Sequence, residues 1–199
     1  MIEWIKNIDT QLFLTLNGRN TDFFDPFFLW ISHPQIWIPV ILIVLFLLLR
    51  KTKKPWNLLL YLLLAIICSE QSCNFLKKSI QRVRPSHEIT LVEQVNVVRQ
   101  SDGTYYRGGQ YSFPSAHASN GMVMLLFFVF AIRPKTKWLI IGTSLWLLLI
   151  AYSRIYLGVH YPCDILFGFL LGAFWSLLFF KLPTFMKRLM IAYRAKKAE

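Results

Sequence analysis

Five stretches of this chain contain no charged residue, and short basic segments separate several of them. They lie at residues 36–49, 56–69, 108–132, 138–153 and 165–180. A helix needs about 20 residues to cross a hydrocarbon core roughly 30 Å thick, so the shorter runs must extend through their flanks, where Lys, Arg and Trp reach the interface. The pattern predicts an all-α, polytopic membrane helical bundle. Its five spans are expected near residues 34–52, 55–82, 115–133, 136–156 and 162–183, and this number of apolar runs disfavours soluble-core helices.

The first 33 residues have a different pattern. Apolar residues at positions 2, 4, 5, 8, 12 and 16 form one helical stripe. Asp9, Asn17, Arg19 and Asp22 argue against a span, which favours an N-terminal interfacial helix. The segment 23–32 is too short to cross alone, and a sixth span built from these pieces is the alternative.

The longest polar loop, residues 86–113, separates the second and third predicted spans. Val and aromatic residues flank Ser101-Asp102-Gly103, a pattern typical of a small hairpin.

Composition supports a membrane protein with one domain, residues 1–199. Hydrophobic residues make up 55% of the chain and charged residues 16%, against roughly 25% charged in soluble domains. The net charge of +12 favours anionic partners, and with this apolar content we expect the bilayer and lipid phosphates rather than nucleic acid. Three cysteines without a CxxC pair are unsuited to a disulfide framework or a zinc site.

Loop charges predict the orientation of the bundle. Basic residues cluster after the first, third and fifth spans, including Lys53 and Lys135, which places these segments in the cytoplasm. The opposite, extracytoplasmic side then carries the loop 86–113, and we expect a multi-pass protein of the cell (cytoplasmic or inner) membrane with its active site on that side. That side is also rich in Lys and Arg, and this exception requires an explanation.

Two polar clusters come from the second and third spans. Lys77 and Arg84 are seven residues apart and share one helix face if the second span continues to Val83. Pro114 in a first helical turn leaves the backbone N–H groups of residues 115–117 free, which is a natural anion site. Taken singly, these features fit an interfacial anchor and a plain helix cap.

A third cluster surrounds the start of the fifth span. Arg154 ends the fourth span, His160 lies in the turn, and Asp164 follows four residues later, where it can accept a hydrogen bond from the imidazole. Asp164 alone would fit an ordinary acidic residue near a helix N-terminus. Together, three cations, two histidines and a carboxylate at one membrane face indicate metal-free phosphoryl transfer through a histidine, with no cofactor.

The three clusters read K-x6-R-P (77–85), P-S-A-H (114–117) and S-R-x5-H-x3-D (153–164). They resemble the signatures of the type 2 phosphatidic acid phosphatase family, which shares its site with vanadium haloperoxidases. The resemblance implies that His160 is the nucleophile, Asp164 orients it and His117 is the general acid. It assigns phosphate binding to Lys77, Arg84, Ser115, Ala116 and Arg154. Ala116 departs from the family's frequent Gly, and its N–H can donate only if its φ is negative.

The resemblance implies an integral-membrane lipid phosphatase, with undecaprenyl diphosphate as the first expected substrate. Phosphatidate, phosphatidylglycerophosphate and lipid A phosphates are the next candidates. The alternatives are a phosphotransferase with a hydroxyl acceptor and a non-catalytic lipid-binding or transport subunit. Glu70, inside the second span, is expected to make a structural pairing rather than serve as a proton relay.

Overall fold

The computed structural model describes residues 2–52, 54–133 and 137–198, which form seven α-helices. These are α1 (Ile2–Asn17), α2 (Asp25–Ile31), α3 (Trp37–Lys51), α4 (Pro55–Ile80), α5 (Ala116–Phe127), α6 (Lys137–Tyr156) and α7 (Pro162–Ala198). Short 3₁₀ helices lie at Pro34–Ile36, Pro85–His87 and Ile89–Leu91, and a π-helical turn at Phe128–Ile132 continues α5. The all-helical prediction is confirmed.

Each predicted span has a corresponding helix with boundaries within a few residues, except that α7 continues to Ala198, 15 residues past the predicted end at 183. Within the described ranges, three helical segments are long and apolar enough to cross a membrane, namely α4, α6 and Pro162–Leu182 of α7. Helix α3 and the α5 segment Ala116–Ala131 are shorter apolar helices. The chain is therefore a multi-pass membrane protein, while the number of five spans stays a prediction. Lys53 and Lys135 lie outside the described residues.

Helix α5 lies at the centre of the bundle and packs against α4, α6 and α7. Gly168 and Gly172, one turn apart on α7, allow the closest of these approaches. A Cβ atom on Gly168 would lie 2.6 Å from the Ser115 carbonyl oxygen, and one on Gly172 would collide with the carbonyl of Ser119. Small residues at this spacing let two backbones meet directly within a membrane. This α5–α7 seam fixes the relative positions of the two helix N-termini.

The N-terminal helices hold the end of α6 that carries Arg154. Phe13 of α1 and Phe28 of α2 are buried against α6 and its neighbours. The fully buried Asn17 donates from Nδ2 to the carbonyl oxygens of Ile155, at 3.1 Å, and Tyr156, at 2.8 Å. The Tyr156 carbonyl lies at the C-terminus of α6, where carbonyl groups lack an intrahelical donor, while the Ile155 carbonyl also accepts from the Gly158 N–H at 2.9 Å.

The burial of Asp9 and Asn17 corrects part of the argument about α1. Both side chains point into the protein, with exposed fractions of 3% and 0%. The opposite face is apolar and exposed, including Trp4, Ile5 and Ile8. Because the two polar residues are satisfied internally, they give no reason to keep α1 out of a membrane.

The loop after α4 reverses direction where the hairpin is predicted. Arg99 and Tyr105 form an isolated antiparallel bridge around the turn, and the Tyr106 N–H donates to the Val98 carbonyl at 2.9 Å. A second bridge joins Val83 to Tyr111. The reversal is present, but the pairing is too short to form strands in the described part of the chain.

Candidate active site

A cleft of about 360 Å³ opens beside the N-terminus of α5. It is lined by six of the eight predicted site residues, which are Lys77, Arg84, Ala116, His117, Arg154 and His160. The other two, Ser115 and Asp164, are fully buried and support this lining. The structure therefore brings together three sequence clusters that span 88 residues.

Lys77 and Arg84 reach the cleft by a route that differs from the prediction. Helix α4 ends at Ile80, since Gln81 adopts a left-handed conformation with φ 54°. Arg84 lies beyond the helix in an extended segment, where its N–H donates to the Gln110 carbonyl at 3.1 Å. The expectation that one helical face carries both residues was wrong, because the helix ends four residues before Arg84.

The glycine at position 108 makes room for the Arg84 side chain. The Arg84 Nε donates to the Tyr111 carbonyl at 3.0 Å, which directs the guanidinium across the loop. A Cβ atom on Gly108 would collide with that guanidinium, and Gly108 itself has φ +64°. Sequence analysis missed this residue, although the Gly108-Gly109 pair in a loop was a signal of a close backbone approach.

The N-terminus of α5 presents two backbone donors instead of three. Ser115 is the N-cap, and its Oγ accepts from the Ala118 N–H at 3.4 Å. The Ser115 N–H donates to the Asp164 carbonyl at 3.0 Å, so the expectation that this group is free was wrong. Ala116 and His117 occupy the first helical turn, where N–H groups have no intrahelical acceptor. Ala116 is helical with negative φ, as donation from this position requires.

Arg154 points from the last turn of α6 into the cleft. Its Nη1 donates to the Ser32 Oγ and, at 3.1 Å, to the Tyr106 hydroxyl. Its Nε and the Arg84 Nη1 are buried without a hydrogen-bond partner among the described residues. Buried guanidinium donors are costly to leave unpaired, so both atoms fit a site for an anion. Burial, and next the Arg154 charge, lowers the pKa of Arg84 to about 10, which leaves it charged at pH 7.

His160 follows a turn that is bonded to the end of α6. Its backbone N–H donates to the Arg154 carbonyl at 3.2 Å, which couples the positions of the two residues. Burial, and next the charges of Arg84 and Arg154, lowers the pKa of His160 well below its usual range. The imidazole is therefore neutral at pH 7, the form in which a ring nitrogen can attack phosphorus.

Asp164 lies beside His160, as the spacing predicts. Its Oδ2 is 3.5 Å from His160 Nδ1, and that ring nitrogen has no hydrogen-bond partner among the described residues, so the two groups are adjacent without the expected hydrogen bond. The same oxygen accepts from the Tyr161 N–H at 2.8 Å, and Oδ1 accepts from Arg82 Nη1 at 2.8 Å. Arg82, interpreted from the sequence as a structural or headgroup contact, thus holds the carboxylate that faces His160.

Glu70 lies in the same cleft and has amide partners. Its Oε2 accepts from Asn120 Nδ2 at 2.7 Å, and its Oε1 accepts from Asn74 Nδ2 at 3.4 Å. Ser69 Oγ donates to the Asn120 Oδ1 at 2.7 Å, which fixes the amide orientation. The structural pairing expected for Glu70 is present, and the carboxylate also lines the cleft.

This arrangement can bind a tetrahedral anion and act on it. Three cations and two backbone N–H groups surround a space that a neutral imidazole and a second histidine also face. Such donors stabilise the equatorial oxygens of a transferring phosphoryl group. Among residues 2–52, 54–133 and 137–198, no three His, Cys, Asp or Glu side chains form a cluster that could hold a metal ion.

Comparisons with known proteins agree with this geometry. A family model described as PAP2 superfamily matches residues 54–188. A lipid A 4'-phosphatase of Bacteroides thetaiotaomicron is 36% identical over 186 residues, covering 90% of this chain and 79% of the relative. An undecaprenyl-diphosphatase of Sulfolobus acidocaldarius is 31% identical over 181 residues, covering 89% of this chain and 75% of the relative. The crystal structure of a PAP2-type phosphatidylglycerolphosphate phosphatase from Bacillus subtilis has a TM-score of 0.64 at 24% identity, covering 92% of this chain and 87% of that chain.

Proposed function

The chain belongs to the PAP2 superfamily and is a membrane lipid phosphatase of that type, and on this premise we propose that it acts through a phosphohistidine on His160. The observation that carries the proposal is a pair of buried donors, Arg84 Nη1 and Arg154 Nε, that find no acceptor in the described part of the chain and lie in one cleft with both histidines. A bound phosphate supplies the acceptors that these atoms lack.

The proposed reaction has two steps, transfer of the phosphoryl group to His160 and hydrolysis of the phosphohistidine. Lys77, Arg84 and Arg154 hold the phosphoryl oxygens, with the N–H groups of Ala116 and His117 at the positive end of α5. His160 Nε2 forms the bond to phosphorus while the bond to the lipid oxygen breaks, and His117 gives that oxygen its proton. Water then attacks the phosphohistidine, His117 takes the proton from that water, and inorganic phosphate leaves.

A phosphate monoester on a sugar headgroup is the proposed substrate class. The relatives named lipid A 4'-phosphatase support it, since one is 36% identical over most of both chains. Glu70 also supports it, because a carboxylate in the cleft favours a headgroup with hydroxyl or amide donors and disfavours a second phosphate. Apolar side chains of Trp37, Ile41 and Met124 continue the cleft and suit the lipid chains. Undecaprenyl diphosphate is the second candidate, favoured by the relative that is 31% identical.

A phosphate-release assay in detergent tests this assignment. The substrates are lipid A, undecaprenyl diphosphate, phosphatidate and phosphatidylglycerophosphate, each with EDTA and with vanadate. We expect the highest kcat/KM on lipid A, activity that persists in EDTA, and inhibition by vanadate, which takes the five-coordinate geometry of in-line transfer. Magnesium-reversible loss of activity in EDTA would contradict the metal-free mechanism. Release of less phosphate than lipid consumed would instead indicate transfer to a hydroxyl acceptor.

The active site is proposed to face the extracytoplasmic side of the cell membrane or inner membrane. Single cysteines test this in a background without Cys68, Cys73 and Cys163. A cysteine at Asp102, in the exposed loop, should react with an impermeant thiol reagent on intact spheroplasts. One at Lys54, before α4, should react only after permeabilisation. The opposite labelling pattern would place the cleft in the cytoplasm.

A further inference from the structure

A closed ring of polar contacts lies behind Asp164 and includes a residue from the N-terminal helix. Arg82 bridges two carboxylates, with Nη2 at 2.7 Å from Asp9 Oδ2 and Nη1 at 2.8 Å from Asp164 Oδ1. The second oxygen of Asp9 accepts from the Cys163 N–H at 2.8 Å, in the first turn of α7. The ring therefore joins α1, the segment after α4 and the start of α7.

The side chains of this ring are removed from water. Asp9 and Asp164 expose 2% and 0% of their side chains, and that of Arg82 exposes 20%. The Arg82 guanidinium also lies 3.8 Å from the ring centroid of Tyr161. Burial opposes the charge of Arg82, but Asp164 and Asp9 outweigh it and raise the pKa of Arg82. The N–O distances of 2.7 Å to Asp9 and 2.8 Å to Asp164 are those of ion pairs between the guanidinium and two carboxylates.

The charges of the ring set the net charge next to the His160 imidazole. Asp164 paired with Arg82 alone would be a neutral pair behind the imidazole. Asp9 adds a second negative charge, so that the three groups together carry −1. As a neutral imidazole attacks phosphorus, positive charge develops on its ring, and a net negative group 3.5 Å from Nδ1 stabilises that charge.

We propose that Asp9 and Arg82 are positioning residues, in which Arg82 fixes the Asp164 carboxylate and Asp9 offsets the Arg82 charge so that Asp164 still stabilises the phosphorylated imidazole. This inference rests on the proposed function of His160. One residue of α1, Asp9, then influences catalysis indirectly, through Arg82 and Asp164.

A charge-restoring pair of variants tests the inference. Asp9→Asn leaves the remaining Asp164–Arg82 pair neutral, and we expect phosphoenzyme formation to slow about 10- to 100-fold, the effect of one unit charge several ångströms away at an effective dielectric near 20. KM should change less than about twofold, because the phosphate-binding groups are untouched. The double variant Asp9→Asn/Arg82→Gln removes one charge of each sign and restores −1, and the introduced amide keeps an N–H donor for the Asp164 carboxylate. It should form the phosphoenzyme faster than Asp9→Asn.

The measurement is rapid-quench trapping of phosphate on the full chain in detergent, with Glu3→Gln as the matched control. Glu3 is an exposed acidic residue on the same helix, and its variant should match the unmodified enzyme. A double variant slower than Asp9→Asn, or an Asp9→Asn enzyme with unchanged rate, would overturn the proposal. If Asp9→Asn does not fold, the double variant is compared with the unmodified enzyme instead. Its rate of phosphoenzyme formation must then stay within about tenfold of the unmodified rate. If the unmodified enzyme traps no phosphate, the proposed function of His160 fails first.

Discussion

His160→Ala should trap no phosphate and lose about 10⁴-fold or more in kcat/KM, because removal of a nucleophile leaves only binding and electrostatic effects. His117→Ala should still form the phosphoenzyme, but slowly, since general acid catalysis contributes about 10²- to 10⁴-fold. The defect of His117→Ala should be smaller on an aryl phosphate, whose leaving group needs little protonation. Asp164→Asn should fall between the two, because the imidazole keeps its place without the facing charge.

The readout is acid-labile, base-stable phosphate on the protein after rapid quenching, measured with a lipid and an aryl substrate. His87→Ala is the matched control, since His87 is an exposed histidine in the loop after α4 and outside the cleft. Phosphate trapped on His160→Ala but absent from His117→Ala would exchange the two roles.

Arg154→Gln should lower kcat/KM by about 10³- to 10⁵-fold, the range in which a single arginine stabilises a phosphoryl-transfer transition state. Arg154 is 3% exposed, and its Nε has no acceptor among the described side chains and backbone, so water has little access to compensate for the lost charge. Arg154→Lys keeps the charge but loses the planar fork and should recover only part of the activity. Vanadate inhibition should weaken in parallel, because vanadate uses the same contacts.

Arg99→Gln provides the comparison for a loop arginine. Arg99 is exposed, and its Nε donates to the nearby Gly103 carbonyl at 3.2 Å, outside the cleft. This variant should keep activity and vanadate sensitivity. A loss in Arg99→Gln as large as that in Arg154→Gln would mean that general surface charge, and not the cleft, supports catalysis. Detergent gel filtration and melting temperature identify variants that have lost the fold.

The helices could be predicted from the sequence because membrane crossing imposes a long apolar run on each one. The boundary of α6 and the start of α7 followed from Arg154 and Pro162, and the structure has both within a residue or two. The cleft residues could be predicted because boundary charges are costly and therefore informative. Both predictions used features local to one segment of the chain.

Two of the features that sequence analysis missed depend on contacts between distant segments, and a third is a helix end without a local signal. Helix α4 ends at a left-handed Gln81, and no glycine or proline there announces the end. The Ser115 N–H is occupied by a carbonyl from α7, which no spacing along the chain reveals. Asp9 was counted as evidence against membrane insertion because its partner, Arg82, is 73 residues away. Long-range pairing of polar groups therefore limits what one sequence shows.

The α5–α7 seam divides the cleft into a part whose geometry is fixed and a part whose residues can change during evolution. The helices that meet there carry Ser115, His117 and Asp164. Because larger residues at Gly168 and Gly172 would collide with the α5 backbone, the distance between the two helices cannot change. The apolar wall of the cleft comes largely from α3 and α4, through Trp37 and Ile41 on the first and Ile66 on the second. Residues on that wall can vary without moving the reacting groups. A scaffold divided in this way can acquire new lipid specificities while its chemistry stays fixed, and relatives named for different lipids can share one fold.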